Sequence, residues 1–138
     1  MEFPVTGGCN CGAVRYRLTG APLMTLACHC ENCRRQSGSA FSVNLVYQSD
    51  AVEMEGAVST FVDSATESGN PMNRDFCGQC GSPVRSRSSA GPPMAVIKAG
   101  TLDDPSPFAP SIHIWTSTKL DWVTIPDDVA QYDRNLTA

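Results

Sequence analysis

Basic charge is scarce in this sequence: ten Lys plus Arg stand against fourteen Asp plus Glu, for a formal net charge of −4 and an isoelectric point near 5.0. A nucleic-acid partner needs a basic face to neutralise phosphates, so DNA and RNA are excluded as expected partners. No stretch approaches the roughly 18 consecutive apolar residues of a membrane span. Met1 to Cys9 also lacks the basic segment and apolar core of a secretory leader. The expectation is a soluble, cytoplasmic chain with no membrane partner. Internal repeats and low-complexity tracts are missing too.

Long amphipathic helices are the next absence. Ten prolines and eleven glycines break the 138 residues into short pieces, which favours brief strands and turns. The length suits one domain, residues 1–138.

Alternation predicts strands at Val14 to Leu18 and Leu23 to Cys30, read as a hairpin about Thr19-Gly20-Ala21-Pro22. Glu31 to Ser37 reads as one or two helical turns stopped by Gly38. Further strands are expected at Phe41 to Tyr47, Val52 to Glu55, Val58 to Val62, Met72 to Phe76, Pro83 to Arg87, Met94 to Lys98 and Ile112 to Trp115. Gly56-Ala57 is a turn, Thr66 to Pro71 a polar loop, and Asp103 to Pro110, with three prolines, an irregular segment. An exposed tail starts at Asp127. The fold class is therefore mainly β.

What the sequence does have is cysteine, seven in all. An odd number in a chain without a leader points to free or metal-bound thiols rather than disulfides. Cys9-Asn10-Cys11-Gly12 and Cys77-Gly78-Gln79-Cys80-Gly81 are two short knuckles, each closed by a glycine able to take positive φ. Residues i and i+2 of a strand share a face, and a C-x-x-C turn curls its sulfurs together, so four thiolates complete one tetrahedral site. A thioredoxin-like redox pair at Cys77 and Cys80 is the alternative. That motif opens a helix, whereas Pro83 and Val84 follow here.

Cys28-His29-Cys30-Glu31-Asn32-Cys33 gathers three more thiols in six residues. Three ligands leave one coordination position for water, a thiol or a carbonyl oxygen, the mark of a catalytic zinc. An iron–sulfur cluster is the other metal reading, although its common forms use four ligands at different spacings. His29, between two same-facing cysteines, is expected on the opposite face, packed or hydrogen-bonded rather than ligating.

The blocks Gly8-Cys9-x-Cys11-Gly12-Ala13-Val14-Arg15-Tyr16, Cys28-His29-Cys30-x-x-Cys33-Arg34-x-x-Ser37-Gly38-Ser39-Ala40-Phe41, Phe76-Cys77-x-x-Cys80-Gly81-Ser82-Pro83 and Ala99-Gly100-Thr101-Leu102-Asp103 together resemble the glutathione-dependent formaldehyde-activating enzyme family. The resemblance runs from about Gly7 to Trp122. It implies a β-tent fold of small antiparallel sheets stapled by zinc. It further implies that Cys9, Cys11, Cys77 and Cys80 hold a structural zinc, and that Cys28, Cys30 and Cys33 hold a catalytic one. The implied activity is that of a carbon–sulfur lyase joining glutathione to formaldehyde as S-hydroxymethylglutathione. A noncatalytic zinc module that binds a thiol or a protein is the competing reading.

Three further residues are candidates for substrate binding. Arg34 and Arg35 follow the open cluster and suit a substrate carboxylate, their alternative being a solvated helical face. His113 suits an acid, base or hydrogen-bond donor in the pocket, or a structural histidine holding the proline-rich segment. Phe41, Trp115 and Trp122 are read as core aromatics, one of which could roof the open zinc.

Overall fold

The computed structural model describes residues 2–66, 69–88 and 91–136. Its strands are short, as the glycine and proline content dictates. In chain order they are β1 (Val5–Gly8), β2 (Arg15–Leu18), β3 (Met24–Cys28), β4 (Ser42–Gln48), β5 (Val52–Glu55), β6 (Val58–Asp63), β7 (Met72–Cys77), β8 (Pro83–Ser88), β9 (Met94–Lys98), β10 (Ile112–Ile114) and β11 (Ala130–Gln131). One α-helix, α1 (Glu31–Ser37), follows β3, and three short 3₁₀ turns complete the described elements. No helix among the described residues is long and apolar enough to cross a membrane.

Two sheets form. A three-stranded sheet has the order β1-β2-β5, and an eight-stranded one the order β11-β10-β3-β4-β9-β8-β7-β6. Pairing is antiparallel except where β10 runs parallel to β3 and to β11. The mainly β expectation is borne out.

The predicted hairpin between Val14 to Leu18 and Leu23 to Cys30 is not there. β2 pairs with β1 and β5 in the small sheet, and β3 pairs with β4 and β10 in the large one. The turn between them is a crossover between sheets. β2 alternates cleanly, Arg15 and Arg17 out, Tyr16 and Leu18 in, but alternation names a face and not a partner. Gly56-Ala57 likewise carries the chain from β5 in the small sheet to β6 in the large one.

The large sheet is covered on both faces at its centre, and this places the site. Leu45 and Tyr47 of β4 and Ile97 of β9 are fully buried and cluster with Val14, Tyr16 and Leu18 of the small sheet. Because side chains alternate, Asn44 and Val46 of β4, Ser86 of β8, and Val96 and Lys98 of β9 face the other way, into a cavity. A second cluster of Leu26, Cys28, Cys30 and Trp115 lines that side.

The sheets are also clasped at the Ala99–Thr101 turn. Asp103 takes a bidentate pair from Arg15 and a hydrogen bond from Thr6, and the Tyr16 hydroxyl meets Thr101 Oγ1 at 2.7 Å. Beyond Asp127 the tail is exposed as expected, yet it is tied down by β11, by Tyr132 N–H to the His113 carbonyl and by Trp115 N–H to the Arg134 carbonyl. Trp122 is 75% exposed and is no core aromatic; it sits in the irregular stretch after the last 3₁₀ turn, outside the paired strands.

Candidate metal centres and their cavity

Cys9 leaves β1, Cys11 follows in the turn, Cys77 ends β7 and Cys80 lies in the β7–β8 turn. Their four sulfurs lie within 4.8 Å of one another. Gly12 and Gly81 take φ of 84° and 80°, the left-handed turn that reverses each knuckle and that a side chain would strain. Backbone N–H groups aim at sulfur, from Val14 to Cys9 at 3.2 Å and from Gln79 to Cys77 at 3.4 Å.

Two of the four thiols are drawn toward the thiolate, while the neighbouring sulfurs, Cys9 foremost, push Cys11 up to about 11. The Val14 N–H draws the Cys9 thiol below its ordinary pKa, and the Ser82 hydroxyl, aided by backbone N–H groups, draws Cys80 down to about 5. Cys11 Sγ stands 3.6 Å from Cys9 Sγ and 3.7 Å from Cys77 Sγ. A tetrahedron with metal–sulfur bonds of about 2.3 Å has edges of about 3.8 Å. The four cysteines therefore fit a single tetrahedral ion. Cys77 and Cys80 lie in a β-turn, not at a helix start, unlike a thioredoxin-type pair.

The second cluster is built where β3 gives way to α1. Cys28 is the last residue of β3, Cys30 is the helix N-cap, its sulfur accepting Cys33 N–H at 3.2 Å, and Cys33 lies in the first turn. All three sulfurs fall within 4.8 Å of one another. The thiols compete for charge: S–H donation from Cys28 and then Cys30 lowers Cys33, while its neighbours, Cys30 foremost, push Cys28 up. Such a set fits a cation with three thiolates and one remaining position.

That cluster borders a cavity of about 220 Å³. Leu26, Val46, Val96, Ile114 and Trp115 supply its apolar wall, and Asn44, Arg74, Ser86 and Lys98 its polar positions. Trp115 is held at φ 57°, rare for a non-glycine residue, by the Arg134 carbonyl on its N–H and Asn135 on its indole nitrogen at 3.0 Å. Asn135 itself lines the cavity, so the tail helps to close it. Lys98 Nζ donates to Asn44 Oδ1 at 3.1 Å; burial lowers its pKa and the neighbouring cysteine sulfurs, Cys33 first, oppose the shift.

The expected substrate residues are placed elsewhere. Arg35 is exposed and paired with Glu31 at 3.1 Å, Arg34 is half-buried on the same helix, and neither borders the cavity. His113 pairs across β10 with Ala27 and so faces away from Cys28; it is buried behind the site, its Nδ1 2.8 Å from His29 Nε2. His29 stacks on it and on Phe41, with ring centroids 5.1 and 4.8 Å away, on the side opposite the cysteines. The polar cavity residues Asn44, Arg74, Ser86 and Lys98 were not among the candidates. Asn44, between Val43 and Leu45, and Lys98, after Ile97, are polar residues in apolar strands, whereas Arg74, between Asn73 and Asp75, and Ser86, between Arg85 and Arg87, stand among polar neighbours that hide them.

A profile described as glutathione-dependent formaldehyde-activating enzyme matches residues 4–118. The chain belongs to that family. A Halomonas elongata protein carrying the family's name is 32% identical over 124 residues, covering 86% of this chain and 79% of its own. The crystal structure of a Rhodobacter sphaeroides protein shares the fold, with a TM-score of 0.54 at 17% identity, over 92% of this chain and 98% of that one. The family name points to glutathione and formaldehyde as small-molecule substrates and to a catalytic role.

Proposed function

We propose that this family member is a zinc-dependent carbon–sulfur lyase-type enzyme acting on small thiol adducts, with S-hydroxymethylglutathione formation as the reaction to test first. The observation that carries the reading is a three-cysteine cluster bordering a mostly apolar cavity, while the four-cysteine cluster lies apart from it. Zinc is supported by all-thiolate donors packed closely enough to surround one ion rather than the corners of an iron–sulfur cluster. Thiols kept available for metal suit a reducing compartment, which supports a cytoplasmic location.

On this reading Cys28, Cys30 and Cys33 hold the catalytic zinc, and Cys9, Cys11, Cys77 and Cys80 hold a structural one. The bound ion supplies Lewis acidity that favours the thiolate form of an arriving thiol or polarises an aldehyde oxygen. The protein excludes water with Leu26, Ile114 and Trp115, and holds the reactants together in a space of about 220 Å³. The net change forms one carbon–sulfur bond and moves the thiol proton to the aldehyde oxygen. His113 and His29 serve as a buried pair that buttresses Cys28 and Cys30 from behind. Arg34 and Arg35 reach substrate only through the part of a larger thiol that stays outside the cavity.

Exchange NMR of glutathione with formaldehyde tests this. Zinc-loaded protein should accelerate exchange over buffer, and Cys30→Ser should abolish the acceleration while keeping the fold and one zinc. Thiol binding without acceleration would leave a noncatalytic zinc module in its place.

A further inference from the structure

The cavity floor carries polar groups that neither cluster uses. Ser86 is 2% exposed and its Oγ has no hydrogen-bond partner, a costly state for a buried hydroxyl unless something else meets it there. Directly across the ladder from Ser86 stands Arg74, 4% exposed and lining the same cavity. Its Nε donates to Asp63 at 2.8 Å, one of the five donors a guanidinium offers. Lys98, on the intervening side toward the cysteines, meets the neutral Asn44 and forms no carboxylate pair among the described residues. Two cations and an orphan hydroxyl thus share one mostly apolar chamber.

We propose that Ser86, Arg74 and Lys98 form a carboxylate subsite, so that the cavity selects thiols bearing a carboxylate at a distance from sulfur. This rests on the thiol-handling reading above. The chamber's volume of about 220 Å³ falls below the roughly 300 Å³ where pockets for drug-sized ligands begin. It takes a small mercapto acid whole, or the thiol-bearing end of a larger one. The three open-cluster cysteines are reached from β3, and Ser86 lies three strands away on β8, with neighbouring strands about 4.8 Å apart. An extended ligand therefore spans them better than a one-carbon one, with Lys98 of β9 in between. Desolvated donors of this kind discriminate strongly, because a ligand lacking the carboxylate leaves them unmet.

Calorimetric titration of the zinc-loaded protein with unbranched mercapto acids of increasing length, against the matching mercapto alcohols, is the test. The expected result is a preference of tenfold or more for an acid over its alcohol, largest for a chain longer than mercaptoacetate. Ser86→Ala and Lys98→Met should each cut that preference at least threefold. Zinc content is measured in every variant, and Ser86→Ala alone decides if Lys98→Met loses metal. Equal binding of acids and alcohols, or a preference untouched by Ser86→Ala, would overturn the subsite. If no thiol binds, the thiol-handling reading fails instead. Butyrate then judges the subsite: binding weakened by Ser86→Ala keeps it, and no binding removes it.

Discussion

The two cysteine clusters use the same ligand chemistry in opposite structural settings. The closed one ties the turn after β1 to the β7–β8 turn, and so joins the small sheet to the large one through four sulfurs held by backbone N–H groups. The open one forms within six residues, at the end of one strand and the first turn of one helix, and faces a cavity. Closure across a long sequence separation contributes to folding, because the unfolded chain has no preformed site. A local cluster gains little in that way and keeps a position free.

The sharpest break of this comparison is a pair of serine substitutions. Cys77→Ser should cost most of the binding energy of a structural ion, on the order of 10 kcal/mol, and leave a chain without a cooperative thermal transition. Cys33→Ser should keep that transition and lose one equivalent of metal by elemental analysis. Equal effects on melting would erase the distinction between staple and site.

Below this in size is the buried ion network near the staple. Asp75 is fully buried and accepts from Arg85 and Arg87 at 2.7 Å and from Thr60. Asp75→Asn leaves two arginines without their carboxylate, and the expected loss is about 3 kcal/mol, measured by urea unfolding. The metal content of the open cluster should not change.

Acid separates the two regions more gently. Burial first, and then the charge of His113, lowers His29 from 6.5 to about 4. Between those values the unfolded chain binds the proton and the folded one does not. Stability therefore falls as the pH drops from about 6.5 to about 4, and stops falling from this source below about 4. His29→Asn should flatten that slope, seen by unfolding the parent and the variant across the window; an unchanged slope would assign it to the thiols. The smallest effect is Asp103→Asn at the half-exposed clasp with Arg15, at most about 1 kcal/mol in the same assay.

Much of both clusters was legible in the sequence, since ligand spacing is local: C-x-C on a strand and C-x-x-C in a turn bring sulfurs together whatever surrounds them. The strands at Val52 to Glu55, Met94 to Lys98 and Ile112 onward were legible for the same reason. The crossover after Leu18 was not, because a four-residue alternation suits any neighbour. Lys98 read as the end of an apolar strand, and Ser86 as one serine in a polar stretch. Only pairing Arg74 with Ser86 and Asn44 with Lys98 across the sheet shows them on one floor.

By itself, then, the sequence determined the short-strand β class, the family, and the cysteine groups able to hold a metal, each knuckle and the three-cysteine run being a property of residues near one another along the chain. The tertiary structure decided which strands meet, that His113 is buried against His29 and does not line the cavity, and which polar groups share it with the open cluster. Those depend on long-range pairing, where burial and sheet register bring together residues that no local spacing relates.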